Sequence, residues 1–188
     1  MEKKRFIVGV SGASGAPLAR RLLQELKKQE QVEVHLVMTD GGVRTADEEW
    51  EGGAEEFRKL TDVVYDNRDI GAAIASGSFQ TEGMIILPCS MKTVAGIACG
   101  YSDNLLLRAA DVMIKEQRRL VICPREMPLS RIHLENLTRL ASLPNVFVMP
   151  PVLGYYHHPK TLEEMERQIV GRILEKCGVQ MNEFQRWK

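Results

Sequence analysis

The sequence predicts one doubly wound α/β domain with a mostly parallel sheet, of the Rossmann or flavodoxin-like kind. Two observations predict it. Short apolar runs alternate with segments whose apolar residues recur at helical spacing, and strands apolar on both faces imply a parallel sheet covered on both sides. The runs also end in proline or in glycine-rich turns, the usual punctuation of such units. A chain of 188 residues suits a single domain over 1–188, with a C-terminal tail from about 178. It buries roughly 70% of its unfolded surface, so it needs neither disulfides nor metal to hold together.

In order, Phe6–Val10 reads as the first strand, running into the tight loop Ser11-Gly12-Ala13-Ser14-Gly15. Pro17 stands where a first helical residue belongs, with Ser14 as its cap. Leu18, Leu22, Leu23 and Leu26 follow at helical spacing. Val32–Met38 is the second strand, and Val63–Tyr65 is a short further one. Met84–Leu87 is closed by Pro88, Leu120–Cys123 by Pro124, and Val146–Met149 by Pro150 and Pro151. Helical patterns cover Asn104–Gln117, Ile132–Ala141 and Leu162–Cys177. Gly71–Phe79, small in composition, reads as an active-site loop.

Lysine plus arginine number 25 and aspartate plus glutamate 25. That balance argues against a nucleic-acid partner, which calls for a basic excess, and against an acidic flavodoxin-type electron carrier. Cys89, Cys99, Cys123 and Cys177 stand far apart, without zinc spacing, and read as reduced thiols of a cytoplasmic protein. The apolar run behind the charged N-terminus breaks at Gly9 and Ser11, too soon for a signal peptide, and no run reaches the length of a membrane span.

Ligands of such sheets sit beyond the C-terminal ends of the strands. Five clusters fall there: Ser11–Gly15, Thr39–Asp40, Cys89–Thr93, Arg125–Glu126 and Gly154–His158. The first completes the pattern G-x-x-G-x-x-G over Gly9–Gly15, which is neither the dinucleotide fingerprint nor a Walker loop. Its glycines permit close approach of backbone, and the following helix N-terminus offers amides to an anion. Packing alone would account for small residues, but not for the hydroxyls of Ser11 and Ser14. A dinucleotide would favour an acid ending the second strand; Thr39 stands there, with Asp40 next, so NAD is disfavoured and a mononucleotide such as FMN fits better. Ser90 is a plain helix cap or a ligand group. Cys89 shows no neighbour that would lower its pKa, and reads as a buried thiol. Arg108 and Lys115 share a helix face. Arg125 is pinned between two prolines, with Glu126 as ion-pair partner or as proton donor to a leaving phosphate. The pair His157-His158 lacks accompanying carboxylates, so a metal site is not expected.

With these clusters in hand, the sequence resembles the flavin prenyltransferase (UbiX) family, in the branch accompanying phenolic and hydroxyarylic acid decarboxylases. The resemblance spans nearly the whole chain. It rests on Ser11–Gly15, Ala75-Ser76-Gly77-Ser78, Pro88–Thr93, Arg108-Ala109-Ala110-Asp111-Val112, Pro124–Pro128 and Ile132-His133-Leu134-Glu135-Asn136, in that order. It implies a metal-independent transferase that moves a dimethylallyl group from dimethylallyl monophosphate to N5 and C6 of reduced FMN. The prenylated FMN would serve a UbiD-like decarboxylase. It also implies FMN contacts by Gly12, Ala13, Ser14, Thr39, Ser90, Met91, Lys92, Thr93 and Arg125. Tyr156 and Arg172 would hold the prenyl phosphate, with Lys115, Arg108 and Glu126 nearby; Glu49 and Ser14 would move protons at the flavin. A large homo-oligomer, a dodecamer in the family, is implied too, with some residues acting across chains.

That chemistry is physically coherent, because fixed cations aimed at a departing phosphate stabilise its growing charge without reorganisation. Trp50 or Tyr156 would add a cation–π contribution of about 1 kcal/mol to an allylic cation, although Trp50 reads first as an interface or core tryptophan. Thr39 replaces the serine more usual in the family and keeps its hydroxyl. Met91-Lys92 and the ending Phe184-Gln185-Arg186-Trp187 point to the decarboxylase-associated branch. Two rivals remain. An FMN-dependent cysteine decarboxylase would need a Pro-Ala-Ser-Ala-Asn-Thr-like segment, where this chain has Pro-Arg-Glu-Met-Pro-Leu-Ser. A non-catalytic flavin-binding subunit would store or deliver the cofactor.

Overall fold

Six parallel strands form one sheet in the order β3-β2-β1-β4-β5-β6, in a computed structural model that describes residues 3–182 and 184–186. The strands are β1 (Lys4–Val10), β2 (Val32–Met38), β3 (Val63–Tyr65), β4 (Gly83–Cys89), β5 (Arg119–Pro124) and β6 (Val146–Val148). The helices are α1 (Ala16–Lys27), α2 (Asp40–Glu49), α3 (Gly53–Lys59), α4 (Met91–Cys99), α5 (Leu105–Lys115), α6 (Arg131–Ala141) and α7 (Leu162–Lys176), with a single 3₁₀ turn at Ala73–Ala75. All six strands expected from the sequence are present, and the doubly wound class is correct.

The two faces of the sheet carry separate cores. Leu22, Leu23 and Leu26 of α1, Phe57 of α3, and Val170, Ile173 and Leu174 of α7 pack with alternate strand residues such as Phe6, Val8, Leu36 and Val121. Val94 and Ile97 of α4 and Leu105 to Val112 of α5 pack on the other face, against Ile7, Met84, Ile86 and Ile122. β4 is buried at all seven positions, as burial of a parallel strand on both faces demands. Pro88 lies within β4 and does not close it, because the ladder to β5 shifts register between Ile86 and Cys89. A proline without an amide proton fits such an irregularity.

Helices α2 and α3 fill the stretch between Thr39 and Val63 that the sequence reading left unassigned. They carry no apolar stripe: α2 buries only Gly42 and Ala46, and α3 only Ala54 and Phe57. Among the described residues no helix is long and apolar enough to cross a membrane. Trp187 lies outside the described residues.

The register positions the functional edge. β1 and β2 pair from Lys4↔Val32 through Val10↔Met38 and therefore end level, so Thr39 N bonds the Val10 carbonyl at 3.0 Å. Ser11 N reaches the Pro88 carbonyl at 3.1 Å, and Arg125 N the Cys89 carbonyl at 3.1 Å. The loops after β1, β2, β4 and β5 are thus tied to one another. The chain winds outward from β1 to β3 and from β4 to β6, so the crevice between the β1 and β4 loops is the switch point where ligands of such sheets bind.

Candidate active site

Hydroxyl groups line this crevice, each already placed by hydrogen bonds. The Ser11 Oγ donates to the Pro88 carbonyl at 3.2 Å and accepts from Ser90 N at 2.8 Å. Thr39 Oγ1 caps α2 by accepting from Gly42 N at 3.0 Å. Ser90 Oγ caps α4 by accepting from Thr93 N at 3.3 Å, with Thr93 Oγ1 3.1 Å away. An accepting hydroxyl keeps its own proton to donate, so these caps fix side chains that a phosphate or carbonyl oxygen can still use. Below them Gly12 and Gly41 touch backbone to backbone: a Cβ on Gly12 would stand 3.1 Å from Gly41.

Ser14 does not cap α1. The N-cap is Gly15, at φ 127°, and it makes no side-chain bond. The amides of Gly15 and Ala16 both donate to Glu49 Oε2 at 2.8 Å. The anion expected at the α1 terminus is therefore the chain's own carboxylate, supplied by the last residue of α2. At α4, by contrast, the Met91 and Lys92 amides make no hydrogen bond among the described residues, which leaves two donors at the crevice. Glu49→Gln is expected to cost about 1 kcal/mol of stability, because a charged acceptor at a helix N-terminus becomes neutral. Urea unfolding against wild type checks this; an unchanged midpoint would refute it.

Arg125 closes the crevice from β5, its Nε donating to the Ser14 carbonyl at 3.3 Å. Glu126 does not pair with it: its Oε1 accepts from Met127 N at 3.0 Å. Cys89 is fully buried, and desolvation pushes its thiol far above the ordinary value against a smaller pull from Ser11. It is no nucleophile.

A second cavity, of about 590 Å³, lies between the segment after β6, α7 and the C-terminal tail. Tyr156 and Arg172 both border it, with Met149, Val152, Ile173 and Phe184 as apolar wall. The structure thus brings together the two residues expected to hold the prenyl phosphate. It does not bring Lys115 or Arg108 to them within one chain. They do share a face of α5, but Arg108 Nε donates to the Ala75 carbonyl at 3.3 Å, and Lys115 pairs with Glu116 beside Gly77. For Lys115 the reason is topological: a helix joining parallel strands returns the chain to the edge where the next strand starts, so the C-terminal end of α5, which carries Lys115, lies away from the crevice.

The same return carries the Gly71–Phe79 loop away from the crevice of its own chain. Arg118, just before β5, donates to the Gly77 and Phe79 carbonyls at 2.6 and 2.7 Å. Trp50 makes structural contacts within the chain. Its Nε1 donates to Glu56 at 2.5 Å, and Arg20 lies 4.1 Å over its ring and bonds Glu56 at 2.7 Å. These contacts join α1 to α3. Among the described residues no group of three or more metal-ligating side chains occurs.

Comparison with known proteins decides the family. A flavoprotein family profile matches residues 1–176. The flavin prenyltransferase UbiX of Escherichia coli is 48% identical over 187 residues, covering 98% of each chain. The chain belongs to the UbiX-type flavin prenyltransferase family. Two solved structures share its fold along the whole length. One is a dodecameric FMN-dependent UbiX-like decarboxylase from Escherichia coli, with TM-score 0.95 and 46% identity over 98% of this chain and 99% of that one. The other is AnUbiX (PadA1) in complex with FMN and dimethylallyl pyrophosphate, with TM-score 0.96 and 40% identity over 100% and 98%.

In this UbiX-type chain the sequence reading missed the buried bridge made by Ser11, the capping work of Glu49, and the Gly41-Gly42 pair. A glycine pair directly after a strand end was the available signal for the last.

Proposed function

We propose that the protein transfers a dimethylallyl group from dimethylallyl monophosphate to N5 and C6 of reduced FMN, and that a UbiD-like aromatic-acid decarboxylase receives the product. The observation that carries this reading is the cavity between β6 and α7. Its apolar wall suits a short isoprenoid, and its guanidinium and phenol at Arg172 and Tyr156 suit the phosphate. The switch-point crevice suits FMN: Gly12, Ala13 and Gly41 give close approach, while Thr39, Ser90, Thr93, Arg125 and the Met91 and Lys92 amides supply donors. Reduced FMN provides two nucleophilic positions, N5 and C6.

The dimethylallyl carbon–oxygen bond breaks, inorganic phosphate leaves, and the allylic unit bonds to the flavin at both positions with loss of a proton. Arg172 and Tyr156 take up the charge that grows on the phosphate, in place of a divalent ion. Glu126 lies on the loop after β5 as proton donor to that phosphate. Glu49 spends Oε2 on two amides, and Oε1 is the oxygen left to exchange a proton with the flavin beside Ser14. Arg108 and Lys115 reach the phosphate from a neighbouring chain, in a cytoplasmic homo-oligomer like the dodecameric relative. Cys89, Cys123 and Cys177, buried and unpaired, suit a reducing compartment.

Pure protein given reduced FMN and dimethylallyl monophosphate, without oxygen or added magnesium, is expected to yield a flavin heavier by one prenyl unit on mass spectrometry. Bound but unmodified FMN would overturn the proposal.

A further inference from the structure

The C-terminal segment Phe184–Arg186 forms one wall of the cavity that Tyr156 and Arg172 border. Phe184 is seated on α7 at Gly171, where an added Cβ would come within 2.5 Å of its ring. The Arg186 guanidinium stands 5.6 Å from the same ring. Between the segment and the helix, Glu175 serves two cations. Its Oε1 accepts from Arg186 Nε at 2.7 Å, and its Oε2 accepts from Arg172 Nη1. Arg186 and then Arg172 hold this carboxyl below its ordinary pKa, so it is ionised at neutral pH. The guanidinium that faces the cavity therefore already carries an anion from its own helix, three residues on.

We propose that Glu175 is a positioning residue that holds Arg172 until a phosphate-bearing substrate displaces it, with Arg186 then keeping the released carboxylate and fastening the C-terminal segment over the occupied cavity. The proposal rests on the reading that Arg172 binds the substrate phosphate. Exposed carboxylate–guanidinium pairs are weak, so a phosphate dianion can displace a carboxylate monoanion from Arg172. The displaced carboxylate keeps a partner only because Arg186 is there. Each arginine thus affects the other through Glu175: the more firmly Arg186 holds the carboxylate, the less of it remains on Arg172.

Inorganic phosphate is the probe, titrated calorimetrically into the flavin-loaded full-length chain. Glu175→Gln frees Arg172 and is expected to tighten phosphate binding about threefold. Arg186→Gln leaves Glu175 to Arg172 alone and is expected to weaken it by about the same factor. The double variant should match Glu175→Gln, because Arg186 acts only through that carboxylate. Merely structural damage would weaken binding in both single variants, so opposite signs are the signature. Arg172→Gln is the control for the underlying reading and should weaken phosphate binding in either background. If it does so while Glu175→Gln fails to tighten binding, the exchange is overturned and the phosphate site stands. If Arg172→Gln leaves phosphate binding unchanged, the site reading falls and the exchange with it.

Discussion

Replacing Arg172 with alanine is expected to slow prenyl transfer about 100- to 1,000-fold, the usual cost of removing a preorganised group from a site of developing negative charge. The side chain is 57% exposed and projects from α7, so its loss leaves no cavity in the core. FMN affinity should stay within about twofold, because among the described residues no hydrogen bond or ion pair links Arg172 to the crevice, and surface truncations away from a site cost little. Single-turnover measurement with reduced FMN and dimethylallyl monophosphate, beside a flavin-binding titration, separates the two quantities. A flavin-storage subunit would keep its function in this variant; a transferase would keep the flavin and lose turnover. Arg172→Lys should recover only part of the rate, because a point charge does not reproduce the guanidinium's fork on a phosphate. Turnover of the alanine variant within threefold of wild type would remove Arg172 from the mechanism.

That prediction uses Arg172, which the family resemblance and no local pattern singled out; other parts of the molecule were legible in the residues themselves. Strands such as Met84–Leu87 announce themselves because burial on both faces leaves no room for polar residues. Leu22, Leu23 and Leu26 mark α1 because a stripe at 3.6-residue spacing must face the sheet. Ser11, Ser14 and Thr39 were visible because hydroxyls at strand ends are not needed for packing. Glu49 was placed by family likeness alone: its bond to Gly15 and Ala16 joins positions more than thirty residues apart, and no local pattern encodes such a contact. Ser14 resembled a cap because its hydroxyl stands just before a helix. Yet Gly15 takes that position, and it is the Ser14 carbonyl that is used, by Arg125. Helical spacing correctly put Arg108 and Lys115 on one face of α5. It could not tell which end of the sheet that face would reach, since that follows from the direction of the returning helix. Helices α2 and α3 stayed hidden because Phe57 is the one large side chain among the four residues they bury, and one residue makes no stripe.

Gly42→Ala is expected to do more damage than its single methyl suggests. A Cβ at that position would lie 2.3 Å from the Val10 carbonyl oxygen and 2.9 Å from its carbon. Both atoms are backbone at the end of a central strand, so neither can turn aside and α2 must move outward. Overpacking of this kind costs roughly 3 kcal/mol, or a fall of roughly 10 °C in Tm for a chain of this size. The displaced segment is Thr39–Gly41, and Gly41 rests against Gly12 on the floor of the crevice proposed for the flavin. Flavin affinity should therefore fall at least about tenfold even in protein that stays folded, since misplacing crevice donors by a fraction of an ångström forfeits their bonds. Gly100→Ala supplies the contrast. Its φ is 71° with no atom within 4 Å, so alanine there pays a left-handed backbone penalty of about 1 kcal/mol and should leave FMN binding unchanged. Thermal unfolding and flavin titration of the two variants side by side test whether close approach of α2 to β1 shapes the site. Equal flavin affinity in both would show that it does not.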